Sequence, residues 1–305
     1  MLKQFHLVDN KICESKNNDC PVKIYVSPNE EEKKYLIEHY LIDEHTLASA
    51  LDPDELSRFE IEPNHLALIY KRPKNYSAKD QLLFRTHTIG LFYFKDLLII
   101  VMNDDINLFD GKQFHKIASI NELVLKLIYR SIIHFTEHLK VMNMISSELE
   151  MKINKAMENR YLLNMFTLEK SLVYYLNAIN SNGVLIEKVK LNTAKFNFNT
   201  EEMELLDDIV IENNQCYKQA EIYSNILASL MDARASIVSN NLNILIKILN
   251  IITIGIMVPT LIVSIFSMNV KLPLFQEHPL AFWFILGLSG LSAFIVFFVW
   301  RMLKL

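Results

Sequence analysis

Polar residues recur at regular intervals along an apolar segment near the C-terminus. Their steps alternate between three and four residues, which is the spacing of one face of a helix. We call these eight residues the seam: Asn243, Ile246, Asn250, Thr253, Met257, Thr260, Ser264 and Ser267. Most are polar or polarisable, whereas the residues between them are largely Ile, Leu and Val.

Polar side chains within a membrane are costly against lipid, so they face the interior of a bundle or water. One helix cannot enclose water. The seam therefore predicts several copies around an axis, with their polar edges lining a pore. The spacing leaves a second interpretation open, in which the same side chains join dry, closely packed helices by hydrogen bonds.

The apolar segment ends in Ser267, Met268 and Asn269. The last carbonyl groups of a helix carry a partial negative charge. A ring of Asn269 amide oxygens added there would attract a cation without holding it permanently. These three residues are the predicted selectivity filter.

Two apolar runs, 248–270 and 279–300, are each long enough to cross a hydrocarbon layer about 30 Å thick. A pair of buried helices in a soluble core is the alternative. Lys247, Arg301 and Lys304 flank the two runs on one side and Lys271 lies alone on the other. Because the N-terminus has no signal sequence, this bias predicts that both termini are in the cytoplasm.

Composition excludes several classes of protein. A formal charge of −4 over 305 residues indicates no nucleic-acid partner. The three cysteines form no CxxC pair, which suits a reducing compartment. No phosphate-binding GxxxxGK[ST] or GxGxxG motif is present, which disfavours a pump or a nucleotide-binding enzyme.

The rest of the chain divides by its periodicity. Apolar runs separated by Pro, Asn and Asp indicate an α/β sheet domain over 1–118. Helical hairpins are predicted over 119–198, with a turn at 180–183 in which Gly183 ends a helix. Asn199 or Thr200 begins a stalk helix that continues into the first span, to about residue 268. The predicted segments are then 199–270 for the stalk and first span, 271–278 for an extracellular loop, and 279–305 for the second span and a short basic tail.

The stretch His134 to His138 fits the H-x-x-E-H pattern of zinc proteases, in which Glu137 would activate water. The pattern is short and lies in a helical region without other catalytic residues. We therefore predict that the protein is not an enzyme.

The C-terminal part resembles the CorA family of divalent-cation channels, whose signature is Gly-Met-Asn at the end of the first of two transmembrane helices. The resemblance rests on Ser239, Asn240, Asn243, Lys247, Pro259, Met268 and Asn269. Ser267 stands in place of the signature glycine. A serine there either adopts a left-handed conformation at a cost or extends the helix slightly.

The resemblance implies a homopentameric funnel in the inner or plasma membrane. It implies passive, potential-driven uptake of Mg²⁺, with Co²⁺ or Ni²⁺ as further cargo and no cofactor. Lipid, divalent cations and other copies of the chain would be its partners. The alternatives are a Zn²⁺ transporter resembling ZntB, and a non-conducting oligomeric sensor or scaffold anchored in the membrane.

The resemblance also implies further sites. Rings of Leu249 and Met257 would form apolar constrictions. Regulatory cations would bind between cytoplasmic domains, with acidic pairs as the predicted ligands: Asp104, Asp105, Asp207 and Asp208. Glu277 in the loop would gather cations at the pore mouth.

Overall fold

A computed structural model describes residues 1–8, 10–15, 20–76, 82–155, 159–269 and 280–303. The chain forms two compact units, Met1–Ser229 and Leu230–Leu305. The first unit contains a β-sheet with helices on both faces, and the second contains two apolar helical segments. The α/β fold predicted for the first part of the chain is confirmed.

The sheet of the described residues has seven strands in the order β2-β1-β3-β7-β6-β5-β4. Only β3 and β7 pair in parallel. The strands are β1 (Leu2–Val8), β2 (Lys11–Glu14), β3 (Val22–Val26), β4 (Arg58–Ile61), β5 (Leu66–Pro73), β6 (Thr86–Phe94) and β7 (Leu97–Met102). The apolar runs predicted as strands form the four central ones, β3, β5, β6 and β7, whose residues are largely buried.

Helices α1 (Glu30–Tyr40) and α2 (Glu44–Leu51) cover one face of the sheet. They bury a cluster of apolar side chains: Tyr25, Leu36, Ile42, Leu47, Ala50, Ala67, Phe92, Ile99 and Val101. Alternation along the strands places Leu68, Leu91 and Ile100, all fully buried, on the opposite face. There α3 (Ile120–Lys155) and α4 (Asn159–Leu191) contact β5.

The long helix predicted to start at Asn199 or Thr200 is α6 (Thr200–Phe266). A short α5 (Thr193–Phe196) precedes it, and α7 (Ala281–Leu303) follows it. Asn199 caps α6 because its Oδ1 accepts the backbone N–H of Glu202 at 2.8 Å, while its own N–H donates to Oε2 of Glu202 at 2.9 Å. These two reciprocal hydrogen bonds satisfy two backbone N–H groups that would otherwise have no partner at the start of the helix.

The predicted turn at 180–183 is wrong, because α4 runs through Gly183 to Leu191. A Cβ at Gly183 would lie 2.9 Å from Nδ2 of Asn213 on α6. The glycine therefore allows two helices to approach closely and does not end one. The left-handed residue that ends the helical region before α6 is Asn197, with φ of 55°.

Asn182, next to this glycine, attaches α4 to the sheet. Its Oδ1 accepts the backbone N–H of Lys71 at 2.8 Å, and its Nδ2 donates to the Lys71 carbonyl at 2.9 Å. Oδ1 also accepts the hydroxyl of Ser57 at 2.6 Å. Because Asn182 is only 1% exposed, water cannot replace these bonds if they are lost.

We expect Asn182→Ala to destabilise the protein by roughly 2 kcal/mol or more, since it leaves the Lys71 N–H buried without a partner. For a unit of this size, the melting temperature should fall by about 5 °C. Thermal unfolding of the full-length protein in detergent measures the change. Asn180→Ala, at an exposed position on the same helix, is the matched control. Equal melting temperatures for the two variants would contradict the role given to Asn182.

Candidate functional site

Among the described residues, two helices are long and apolar enough to cross a membrane, α6 and the stretch Ala281–Met302 of α7. The apolar window of each has a mean hydropathy of 2.3, and none of it is buried inside the protein. A pair of core helices in a soluble protein would be mostly covered. The alternative of a soluble helix pair therefore does not fit this chain.

Helix α7 covers one side of α6. Between 248 and 269, partial cover is confined to Ile251, Gly255, Val258, Pro259, Ile262 and Phe266, which lie on one face of the helix. The partly covered residues on α7 are spaced in the same way: Ala281, Ile285, Ser289, Ser292, Ala293, Val296 and Trp300.

The seam lies on the opposite side of α6. Thr253 and Met257 are each two residues from Gly255, which places them about 200° around the helix from the face toward α7. All eight seam residues are exposed. Within one chain, therefore, α7 does not cover the polar edge.

Hydroxyl groups of the seam are bonded back to the helix itself. Thr253 donates to the carbonyl of Leu249 at 2.8 Å, and Thr260 donates to that of Ile256 at 2.7 Å. Their protons are used in these bonds, so the oxygen lone pairs remain available on the outer surface. A surface of hydroxyl and amide oxygens suits a hydrated cation.

Ser267, at the end of α6, adopts one of the two conformations considered above. Its N–H bonds the carbonyl of Val263 at 3.1 Å, and its hydroxyl donates to the carbonyl of Ser264 at 2.9 Å. Ser267 is not among the residues with positive φ. The serine therefore extends hydrogen bonding beyond Phe266 and avoids the left-handed stop available to glycine.

The four acidic residues singled out as regulatory ligands are exposed in the first unit, and three have basic partners. Asp104 lies 2.8 Å from Nδ1 of His87, Asp105 lies 2.5 Å from Nζ of Lys3, and Asp207 lies 2.8 Å from Nζ of Lys190. The hydrogen bond from Lys190 to Asp207 raises the pKa of the lysine. Sequence reasoning missed these partners because Lys3, for example, is 102 positions from Asp105.

In the described ranges, no group of three or more His, Cys, Asp or Glu residues is placed to hold a metal ion. The acidic pairs of one chain alone therefore do not make a complete cation site. Glu277, Lys271 and Lys304 lie outside the described residues.

The H-x-x-E-H stretch lies on α3 and is not assembled for catalysis. The rings of His134 and His138 pack edge to face with centroids 4.4 Å apart, and Nδ1 of His138 bonds the Tyr175 hydroxyl at 2.7 Å. Glu137 is exposed and pairs with Arg130 at 3.2 Å. The histidines therefore pack in the core between α3 and α4, while the glutamate faces away from them.

Burial is the main cause of an unusually low pKa at both histidines. It lowers the pKa of His134 to about 3, with help from the charges of His138, Arg72 and Arg130. It lowers the pKa of His138 to about 4, against the opposing charge of Glu137. Both rings are neutral at physiological pH.

Comparison with known proteins agrees with this architecture. Residues 24–301 match the model of the family described as CorA-like Mg²⁺ transporter protein. A curated relative, the cobalt/magnesium transport protein CorA of Methanocaldococcus jannaschii, is 24% identical over 285 residues, covering 90% of this chain and 87% of its own. The complete structure of the CorA magnesium transporter of that organism has a TM-score of 0.79 and 22% identity, covering 98% of this chain and 96% of the other. A more distant likeness is the ZntB cytoplasmic domain of Vibrio parahaemolyticus, with a TM-score of 0.60 and 12% identity over 78% of this chain and 98% of that domain.

The fold and the two spans define an integral membrane protein with a cytoplasmic α/β domain, a long helix and a second transmembrane helix. The chain belongs to the family of CorA-like Mg²⁺ transporter proteins. It is a transporter of divalent cations in the cell membrane and not an enzyme. The predictions of family, fold class and membrane location are confirmed.

The buried histidines predict how stability depends on pH. The unfolded chain binds protons at these groups below about pH 6.5, whereas the folded chain resists protonation until pH 4 or below. Stability should therefore fall as the pH drops from about 6.5 toward 4, by up to about 1.4 kcal/mol per pH unit for each histidine.

Replacing His134 by Phe should make this decline less steep, because one of the two groups no longer titrates. Melting temperatures of the full-length protein between pH 7 and pH 4.5 measure the slope. The control is His115→Phe, at an exposed position. An unchanged slope in His134→Phe would show that this histidine is not the source of the acid sensitivity.

Proposed function

We propose that the protein assembles as a homopentamer in which five seams face a shared axis and form a water-filled pore for passive uptake of divalent cations. The observation that carries the proposal is the position of the seam, exposed and opposite the face covered by α7. Lipid around this edge would leave amide and hydroxyl groups unsolvated, which is costly. In a pentamer, five such edges would surround water, and their polar groups would be solvated there.

The membrane potential is sufficient to drive uptake. Moving one elementary charge across 100 mV yields about 2.3 kcal/mol, so a divalent ion gains roughly 4 to 5 kcal/mol on moving inward. No nucleotide is required.

We assign the selectivity filter to Ser267, Met268 and Asn269. Mg²⁺ dehydrates reluctantly and is best held through its waters. Amide oxygens from five copies of Asn269 would bind such a hydrated ion at the negative end of α6. Asn243 would provide a similar ring at the cytoplasmic end of the seam. No carboxylate lies on the seam, so an ion that enters can also leave.

Apolar rings within the pore would control conduction. Leu249 and Met257 are each 63% exposed in one chain. In a ring of five, their side chains would form constrictions that close by expelling water. The remaining seam residues would line the rest of the pore: Ile246 on the cytoplasmic side of the Leu249 ring, Asn250 and Thr253 between the two rings, and Thr260 and Ser264 between the Met257 ring and the filter.

Mg²⁺ is the first choice of cargo and Co²⁺ or Ni²⁺ the second. The family description, which specifies Mg²⁺, and the name of the curated relative, which specifies cobalt and magnesium, support Mg²⁺ and Co²⁺ as candidates. A Zn²⁺ transporter is the alternative, and the likeness to the ZntB domain concerns the fold alone. A non-conducting sensor is a further alternative, because Ser267 changes the helix end where the filter is proposed.

Gating would depend on cytoplasmic divalent ions that bind between copies of the first unit. Three of the four acidic residues already have an ammonium or imidazole partner within one chain, so an incoming divalent ion competes with Lys190, Lys3 and His87. The attraction between a doubly charged ion and carboxylates of two subunits would exceed that of a single exposed ion pair, because such a pair contributes at most about 1 kcal/mol to stability. High internal Mg²⁺ would then hold the subunits together and close the pore. Glu277 would gather cations at the outer mouth.

For the filter, we expect Asn269→Ala to abolish Mg²⁺ uptake into proteoliposomes and to remove block by a hexammine cation, which mimics a hydrated Mg²⁺. The oligomer should remain intact by light scattering. Asn241→Ala is the control, since this asparagine lies off the seam on the same helix and should leave uptake unchanged. Full transport by Asn269→Ala would remove this residue from the filter.

The same assay, run with Mg²⁺, Co²⁺, Ni²⁺ and Zn²⁺, distinguishes the alternatives for the wild-type protein. Preferential Zn²⁺ flux would favour the ZntB-like function. An intact oligomer with no flux of any metal would favour the sensor, and recovery of flux in Ser267→Gly would locate the cause.

For gating, we expect the double replacement of Asp207 and Asp208 by Asn to weaken inhibition by internal Mg²⁺ about tenfold in concentration, because the site loses two charges. Uptake is measured in vesicles preloaded with increasing Mg²⁺. Glu204→Gln, at an exposed position on the same helix, is the control. Inhibition at the same concentration in both variants would move the sensor elsewhere.

A further inference from the structure

An apolar groove lies between α6 and α7 within the second unit, at the cytoplasmic ends of the two spans. It has a volume of about 560 Å³, and four residues of each helix line it. Ile248, Ile252 and Gly255 contribute from α6, and Ala293, Phe297 and Trp300 contribute from α7. All of the lining side chains are apolar or aromatic, so the groove offers nothing that would hold an ion or a polar solute.

The two helices do not close this groove. Gly255 and Ala293 are its smallest lining residues, and a Cβ added at Gly255 would meet nothing within 4 Å. Close helix packing therefore does not account for the glycine, which borders open space. Ile252 and Phe297 are each 53% exposed, so the walls of the groove are accessible from the side.

Positive charge stands where the groove reaches the cytoplasmic surface. Lys247 directly precedes Ile248, and Arg301 directly follows Trp300. Both cations are exposed, and their apolar stems can lie along the groove while the charges reach the headgroup region. Trp300 belongs to the residue type enriched at that depth.

We propose that this groove binds one acyl chain of an anionic phospholipid from the cytoplasmic leaflet, with its phosphate held by Lys247 and Arg301. Apolar walls match the chain, and two cations at the mouth match the headgroup. Basic pockets between transmembrane helices on the cytoplasmic side are suited to such lipids. The site is separate from the seam, which lies on the other side of α6, so the proposal does not depend on conduction.

The two tryptophans of the chain allow a direct test. Trp300 lines the groove, whereas Trp283 lies near the other end of α7. In Trp283→Phe, the remaining fluorescence reports on the groove; in Trp300→Phe, it reports on the opposite leaflet. Each protein is reconstituted in phosphatidylcholine vesicles with increasing fractions of brominated phosphatidylglycerol or brominated phosphatidylcholine, whose bromine atoms quench nearby tryptophan.

We expect phosphatidylglycerol to bind in the groove about 5-fold to 30-fold better than phosphatidylcholine, as measured by quenching of Trp300. Each basic residue near the surface favours an anionic lipid by about 1 kcal/mol. Trp283 should be quenched equally by both lipids. Lys247→Gln or Arg301→Gln, each in the Trp283→Phe background, should reduce the preference about fivefold.

Filling the groove provides the second arm of the test. Gly255→Leu should remove the preference at Trp300 by occupying the space of the acyl chain. Gly287→Leu is the matched control, because this α7 glycine also borders open space but does not line the groove. Ala293→Leu fills the groove from the other wall and replaces Gly255→Leu if that variant does not fold.

Equal quenching of Trp300 by the two lipids would overturn the proposal. Absence of quenching by either lipid would also overturn it, and loss of the oligomer in Gly255→Leu would then identify a second copy of the chain as the occupant.

Discussion

A polar side chain on a helix that crosses a membrane must lie beside protein or water. A helix that faces hydrocarbon could be built from Ile, Leu and Val alone, yet α6 carries asparagine, threonine and serine along one edge. Hydrogen bonds to the helix backbone satisfy the threonine protons, but they leave the oxygens outward. Since α7 covers the opposite face, no other helix of the described chain covers these oxygens. The pentamer proposed above would place five such edges around shared water.

The cytoplasmic unit differs from the seam because its surface carries charged side chains. Its exposed carboxylates are balanced by cationic side chains from distant parts of the chain, as in the pairs Lys3 with Asp105 and Lys190 with Asp207. Such pairs are weak in water and easily exchanged. Within one chain, these carboxylates therefore already have partners without a metal ion, and a divalent ion of the kind proposed above would have to displace them. The seam, by contrast, carries no formally charged residue, so in the proposed pore it would not hold a cation permanently.

Much of the architecture could be predicted from the sequence, because its signals are local. The four central strands are continuous apolar runs, and the capping pair of Asn199 and Glu202 marks the start of α6. The outer strands of the sheet, β2 and β1 on one side and β4 on the other, were missed, since their half-exposed residues do not form such runs. Gly183 was misinterpreted because its role depends on Asn213, thirty positions further along, and no local pattern reveals that contact.

The candidate site was also only partly predictable from the sequence. Spacing alone identified the seam, since position around a helix follows directly from sequence. The groove between α6 and α7 could not be found in this way, because it depends on which residues of two separate helices face each other. The partners of Asp104 and Asp105 also depend on how the sheet brings β1 and β6 near the end of β7.

The bonds made by Asn182 have a mechanical consequence. One amide pairs with both the N–H and the carbonyl of a single residue in β5, much as a neighbouring strand would. A displacement of α4 by even one residue would break both bonds at once inside a dry interface. Sliding between this helix and the sheet is therefore suppressed, and any motion during a transport cycle must carry the two as a rigid body.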